Sequence, residues 1–303
     1  MDLCDFETDN TKSCVVGSEV PDVTKGEPCC LGIDEAGRGP VLGPMVYGIC
    51  YCPLSGQDRL KDMGFADSKT LTEEQREKLF EAIAGAGEFM GWTIHILAPN
   101  AISNCMLRRS KYNLNTLSHD TAIGLIQRTL DSGVNLQEVY VDTVGDATKY
   151  QDKLKGIFPD LDITVTPKAD AKFPIVSAAS ICAKVARDRA VKGWTFFEEK
   201  DGNTISRKFG SGYPSDPETK KWLASMVEPV FGFPQFVRFS WSTASKILDD
   251  KAVPVNWDDE DEDEKAATPS VMSFFAAKGE DPKQKKHQYF QERFLHTVTD
   301  FGS

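Results

Sequence analysis

Two adjacent carboxylates, Asp34 and Glu35, close an apolar run and lead into Gly37-Arg38-Gly39 within the decapeptide Leu31-Gly-Ile-Asp-Glu-Ala-Gly-Arg-Gly-Pro40. Carboxylate oxygens collect hard cations such as magnesium, which keeps several waters and uses a few protein acids plus substrate phosphate. Glycines flanking an arginine expose backbone N–H and C=O groups that can contact a sugar hydroxyl, and Arg38 is available for a phosphate. The same glycines would also be needed for nothing more than a tight turn between strands. Two further acids, Asp142 and Asp170, fall at the end of one predicted strand and just beyond another. Any one of the four reads equally well as a turn former or helix cap. Four converging acids would repel, raise one another's pKa and call for a cation. A two-ion site of this kind activates water on one side of a phosphodiester and stabilises the departing oxyanion on the other. The chemistry implied is metal-dependent and acts on a nucleic-acid backbone.

Other residues carry weaker signals. Lys69, in Asp67-Ser-Lys-Thr-Leu71, either neutralises a phosphate or sits in a loop leading to a capped helix. Ser177 to Arg189 brings small residues that allow close helix packing, and Lys184, Arg187 and Asp188 fit an ordinary salt-bridged face. Tyr213 lies on a rigid Gly212-Tyr-Pro214 turn, where a half-buried core tyrosine is the plain alternative. Lys168 and Lys172 flank Asp170 and either meet backbone phosphates or stay solvated. The histidines at 95, 119, 287 and 296 show no ligand or triad spacing. Eight scattered cysteines lack both a disulfide framework and zinc-knuckle spacing, so they read as reduced, buried thiols.

The elements that must position these residues alternate between strand and helix. Strands are predicted at Cys29–Ile33, Met45–Cys52, Val139–Asp142 and from Ile163. Thr72 caps a helix reaching about Ala84, with Gln75 three residues on. Asn115–Leu130 has helical periodicity, Pro174 opens a long helix towards Lys200, another helix starts at Pro217, and Phe231–Leu248 reads as aromatic helical cover. This pattern defines an α/β domain over residues 28–250. Residues 1–27 read as a flexible acidic arm. The seven consecutive acids from Asp258 to Glu264 mark a disordered linker, followed by an interaction tail to residue 303.

A net charge of −11 over 303 residues argues at first against a nucleic-acid partner. The arm holds −5 of it and residues 251–303 hold −4, leaving −2 on the core. A near-neutral core can still concentrate basic groups around one groove. No apolar stretch approaches a membrane span and the N-terminus lacks a signal pattern, so an intracellular protein is expected.

Gly32-Ile-Asp-Glu-Ala-Gly-Arg-Gly-Pro40, Asp67-Ser-Lys69, Val141-Asp142, Ala169-Asp170, Ser177–Arg189 and Gly212-Tyr-Pro-Ser-Asp216 together resemble, in order, the motifs of type 2 ribonucleases H. The tail, including His287-Gln-Tyr-Phe-Gln-Glu-Arg293, is similar to the eukaryotic catalytic subunits. The resemblance implies a ribonuclease H-like fold, with a mixed central sheet flanked by helices and a helical C-terminal extension. It implies hydrolysis of the RNA strand of RNA–DNA hybrids, and nicking 5′ of single ribonucleotides in duplex DNA to leave 3′-hydroxyl and 5′-phosphate ends. Asp34, Glu35, Asp142 and Asp170 would bind Mg²⁺ or Mn²⁺, two ions with substrate present. Gly37, Arg38 and Gly39 would sense the ribose 2′-hydroxyl, and Tyr213 would pack on the sugar at the RNA–DNA junction. Lys69 and Lys184 would contact phosphates. Two non-catalytic subunits, forming a heterotrimer, and a nuclear location are also implied. Thr268–Phe275 looks like a sliding-clamp-binding box, with threonine where glutamine is usual; docking on another component of the trimer is the other reading. A DNA resolvase or integrase-like nuclease on the same fold, or a non-catalytic hybrid-binding scaffold, are the rival functions.

Overall fold

The computed structural model describes residues 1–65, 71–110, 112–199 and 204–254. Its strands are β1 (Cys14–Gly17), β2 (Cys29–Ala36), β3 (Met45–Pro53), β4 (Gly91–Leu97), β5 (Leu136–Asp142) and β6 (Asp162–Thr166). They form one sheet in the order β1-β4-β3-β2-β5-β6. β2 runs antiparallel to β3 and parallel to β5, and β5 runs parallel to β6. The helices are α1 (Cys4–Thr8), α2 (Val23–Gly26), α3 (Gln57–Asp62), α4 (Glu73–Gly85), α5 (Pro99–Met106) and α6 (Leu114–Asp131). They continue as α7 (Ala147–Ile157), α8 (Ala169–Lys172), α9 (Pro174–Lys192), α10 (Pro217–Met226) and α11 (Ser242–Lys251).

The pleat of β2 divides the protein into two cores. Leu31 and Ile33 join the layer containing Leu125 and Ile126 of α6 and Leu154 of α7. Cys30 and Ala36 join the opposite layer, dominated by the small-residue face of α9. That helix lies unusually close to the sheet because two strand positions are glycine. A Cβ on Gly32 would stand 2.5 Å from the Ile175 backbone, and one on Gly48 2.5 Å from the Ala179 carbonyl oxygen. The predicted capping box at Thr72 is present, with Gln75 N–H donating to Thr72 Oγ1 and the Gln75 side chain accepting from Thr72 N–H at 2.7 Å.

Three sequence expectations change. The first 27 residues are not a loose arm: β1 pairs with β4, and Leu3 and Phe6 are buried, Phe6 edge-on to Trp194 at 5.9 Å. An acidic composition concealed an edge strand whose few apolar residues stabilise it only through distant partners. Helix α9 stops at Lys192, capped by Gly193, short of Lys200, which lies outside the described residues. Phe231–Leu248 is helical only from Ser242; before it, Leu42 and Val237 form an antiparallel bridge that anchors this segment to the loop after β2. Lys69, the acidic run from Asp258, the Thr268–Phe275 segment and His287–Arg293 lie outside the described residues.

Candidate active site

Parallel pairing of β2 with β5 brings the acids together. Ile33 pairs with Val141, so Asp34 and Asp142 follow side by side at the ends of neighbouring strands. Asp142 Oδ1 accepts the backbone N–H groups of Thr143 and Ala169, both at 3.1 Å, which draws the start of α8 and its Asp170 against the strand ends. The turn into α8 requires Lys168 at φ 56°, among the described residues the one non-glycine with positive φ. Asp34 and Asp170 are buried, at 6% and 5% exposure. Asp34 accepts the Glu35 N–H at 2.8 Å and a hydrogen bond from Ser180, which close packing of α9 delivers.

Burial, with Asp142 and Asp170 as neighbouring negative charges, pushes Asp34 up to about 7. Burial and then Asp34 push Glu35 up to about 8, with Arg38 opposing. Glu35 follows the pleat to the other side of the strand, where its charge acts on buried Tyr47 and Tyr150. The adjacent pair in the sequence is thus a pair straddling a strand end. Among the described residues, no three His, Cys, Asp or Glu side chains stand as a finished metal cage. The donor set is nevertheless all oxygen, and the charges of Asp34 and Glu35 are disfavoured by burial and by neighbouring acids, which fits a hard divalent cation that retains water. Asp34, Glu35, Asp142 and Asp170 are the residues that would hold it.

The Gly37-Arg38-Gly39 turn is held from behind. Gly37 has φ +74°, and a Cβ there would meet the Pro44 carbonyl at 2.8 Å, so only glycine fits. Arg238 is fully buried and gives its guanidinium to three carbonyls: Gly43 at 2.8 Å, Arg38 at 3.0 Å and Gly37 at 2.6 Å. Trp241 Nε1 adds a bond to the Gly39 carbonyl at 3.2 Å. These bonds tie the turn's carbonyls to the segment behind it. Arg38 itself donates to Asn115 at the start of α6.

Tyr213 is brought to the same turn. Its ring lies 3.0 Å from where a Cβ on Gly39 would stand, and Val41 N–H donates to the Gly212 carbonyl at 2.8 Å. The residue is 48% exposed, so about half of it is open to solvent beside the turn. Its loop is clasped by Asp216, which accepts from Ser211 N–H and Oγ and from Glu218 N–H; these bonds hold Asp216 down at about 2. Lys184 is half-buried on α9, one turn before Arg187.

Sequence reading missed Ser180, Asn115, Arg238 and Trp241. Ser180 and Asn115 were visible only as a small packing residue and a helix start. Arg238 and Trp241 sat in an aromatic run about 200 positions from the turn they hold, and no local pattern marks such a partner.

A mixed sheet flanked by helices, with acids at adjacent parallel strand ends beside a glycine turn, defines a metal-dependent phosphodiester hydrolase of the ribonuclease H-like fold. The Ribonuclease HII family model matches residues 31–244. The chain is 54% identical over 299 residues to a ribonuclease H2 subunit of Bos taurus, covering 99% of each. It is similar to the crystal structure of ribonuclease H2 from Pyrococcus horikoshii (TM-score 0.61, 37% identity, 73% of this chain and 98% of that one). It is also similar to the ribonuclease HII solved in a PCNA complex from Archaeoglobus fulgidus (TM-score 0.58, 33% identity, 73% and 99%). The chain belongs to the ribonuclease HII family, on its ribonuclease H2 catalytic-subunit branch, whose members are endoribonucleases.

Proposed function

We propose that this chain hydrolyses the RNA strand of RNA–DNA hybrids and nicks duplex DNA on the 5′ side of single embedded ribonucleotides. The observation that carries the reading is the junction of two devices at one strand end. The Asp34–Asp142 pair lies at one side, and the Gly37–Gly39 turn with Tyr213 against it lies at the other. Cleavage and ribose sensing then act on the same nucleotide.

Bound Mg²⁺ or Mn²⁺, as two ions with substrate present, would supply charge neutralisation on both the attacking and departing oxygens. The chain's own residues set up the rest. Gly37–Gly39 offer backbone donors to the 2′-hydroxyl, a group DNA lacks. The exposed Tyr213 ring gives a flat surface for the sugar at the junction and excludes water on that side. Arg38, Lys69 and Lys184 contribute positive charge towards phosphates, which orients the strand without reading sequence. Cleavage breaks the P–O3′ bond, leaving a 3′-hydroxyl and a 5′-phosphate.

A relative named as a subunit supports assembly into a larger complex, which we read as a heterotrimer with two non-catalytic subunits in the nucleus. The archaeal relative solved with PCNA supports a sliding clamp as one partner, and residues 268–275 are the segment we assign to it. The test is incubation of the full-length chain, with co-purifying subunits, on duplex DNA containing one ribonucleotide. Nicking 5′ to it in Mg²⁺ or Mn²⁺ is expected, with loss by at least ~10³-fold in Asp34→Ala and Asp142→Ala. Equal cleavage of all-DNA duplex would favour a resolvase-like nuclease. Binding without turnover would favour a scaffold.

A further inference from the structure

Asp34 and Glu35 leave β2 on opposite faces, so Glu35 joins Asp34 and Asp142 only by bending its carboxylate round the strand end. Holding a long side chain in one such bend costs rotamer freedom unless a neighbour fixes it. On the face that Glu35 takes, its direct cross-strand partner is Tyr47 of β3. Opposed residues of an antiparallel pair share a face, with Cβ atoms about 4.5–5.5 Å apart.

Tyr47 is 2% exposed and belongs to the apolar layer with Ile33, Met45 and Ile49. Its hydroxyl has no hydrogen-bond partner among the described residues. Ser118, fully buried on α6, adjoins that hydroxyl without the alignment of a hydrogen bond, so its own oxygen is equally unpartnered. Tyr150 completes this floor beneath Glu35, held by a stack on His119 with 3.8 Å between ring centroids. Once burial is set aside, Glu35 is the charge that acts most strongly on both phenols.

A buried hydroxyl without a partner is costly, and a phenylalanine would fill the same space without that cost. A phenol has one hydrogen to donate, and a carboxylate has lone pairs to spare for it while binding a cation. The acid opposite Tyr47 in the register supplies the acceptor that the apolar layer cannot.

We infer that Tyr47 is a positioning residue, whose hydroxyl donates to the Glu35 carboxylate and holds it towards the strand end, where Asp34 and Asp142 stand. This rests on the reading of Glu35 as a metal-binding acid and adds the group that orients it. Tyr47 itself touches neither cation nor substrate. Groups that hydrogen-bond a ligating carboxylate typically contribute about 10–100-fold in metal affinity.

The test uses the full-length chain with its co-purifying subunits, stripped of metal, as wild type, Tyr47→Phe, Glu35→Ala and the double variant. Melting temperature is followed across a Mn²⁺ series without substrate, so the midpoint of the metal-induced rise reports affinity with no turnover. In EDTA, Tyr47→Phe should melt within about 2 °C of wild type or above it, because an unpaired buried hydroxyl is lost and the ring is kept. Its Mn²⁺ midpoint should rise about tenfold. Cleavage of the single-ribonucleotide duplex should need correspondingly more Mn²⁺, with kcat at saturation changed much less. Added to Glu35→Ala, Tyr47→Phe should move the midpoint no further, because its effect passes through the carboxylate. An unchanged midpoint in Tyr47→Phe, with a raised one in Glu35→Ala, overturns the inference and leaves Glu35 a metal-binding acid. Equal effects of Tyr47→Phe with and without Glu35 also overturn it and make Tyr47 a packing residue. An unchanged midpoint in Glu35→Ala removes the metal role of Glu35 and this inference with it, while normal wild-type cleavage would keep the nuclease reading.

Discussion

At the scale of single residues, the buried acids make the site a source of instability until a cation arrives. Asp34 and Glu35 sit at about 7 and about 8, above their ordinary values, so the folded chain holds protons the unfolded chain has already released. Metal-free stability therefore falls as pH rises from the ordinary carboxylate range through about 8. Asp34→Asn should melt several degrees above wild type in EDTA at pH 8, and the gap should close as pH drops below about 5. Calorimetry of both proteins across that range is the check; a gap that widens on acidification would contradict the role given to burial. Lys168 is the other strained point. Its positive φ costs about 1 kcal/mol for a side-chain residue, so Lys168→Gly should raise the urea midpoint or leave it unchanged, whereas Lys168→Val should lower it and reduce kcat by displacing Asp170.

At the scale of elements, the site depends on how closely α9 approaches the sheet. Gly32 and Gly48 allow that approach, and Ser180 reaches Asp34 because of it. Gly48→Ala should cost about 1–3 kcal/mol by denaturant titration and depress kcat, since the helix must move away from the strand to admit a Cβ. A variant with normal stability and normal kcat would mean that the helix position is not what sets the acid site. The turn side depends on the Leu42–Val237 bridge, which seats Arg238 under Gly37–Gly43. Trp241→Phe keeps most of the packing and removes one carbonyl bond to Gly39. It should weaken discrimination between ribose- and deoxyribose-containing duplexes more than it lowers the melting temperature, read as the ratio of kcat/KM values.

At the scale of the whole molecule, the N-terminal segment is part of the sheet. β1 covers the outer edge of β4, and Phe6 packs on Trp194 at the far end of α9. Removing residues 1–17 should expose that edge, lower the melting temperature and promote concentration-dependent association, as light scattering would report. A truncated chain that stayed monomeric and equally stable would restore the loose-arm description. The near-neutral core also takes on meaning here. Its positive groups do not outnumber its acids, but Arg38, Arg187 and Arg238 are gathered at one turn, so positive charge is concentrated there by local placement rather than by total charge.

The sequence alone displayed the candidate chemistry: four acids, a Gly-Arg-Gly turn and a tyrosine between glycine and proline, all readable because each is a local pattern of residue type and spacing. It also determined most of the strands and helices that carry them, because apolar periodicity and caps act over a few residues. Tertiary structure decided which partners complete the site. Only pairing of β2 with β5 makes Asp34 and Asp142 neighbours, and only the pleat sends Glu35 to the other face. Arg238 reaches the turn from 200 residues away, and Tyr47 comes opposite Glu35 through the pairing of β2 with β3. Such contacts follow from the packing of whole elements, and no short stretch of sequence encodes them.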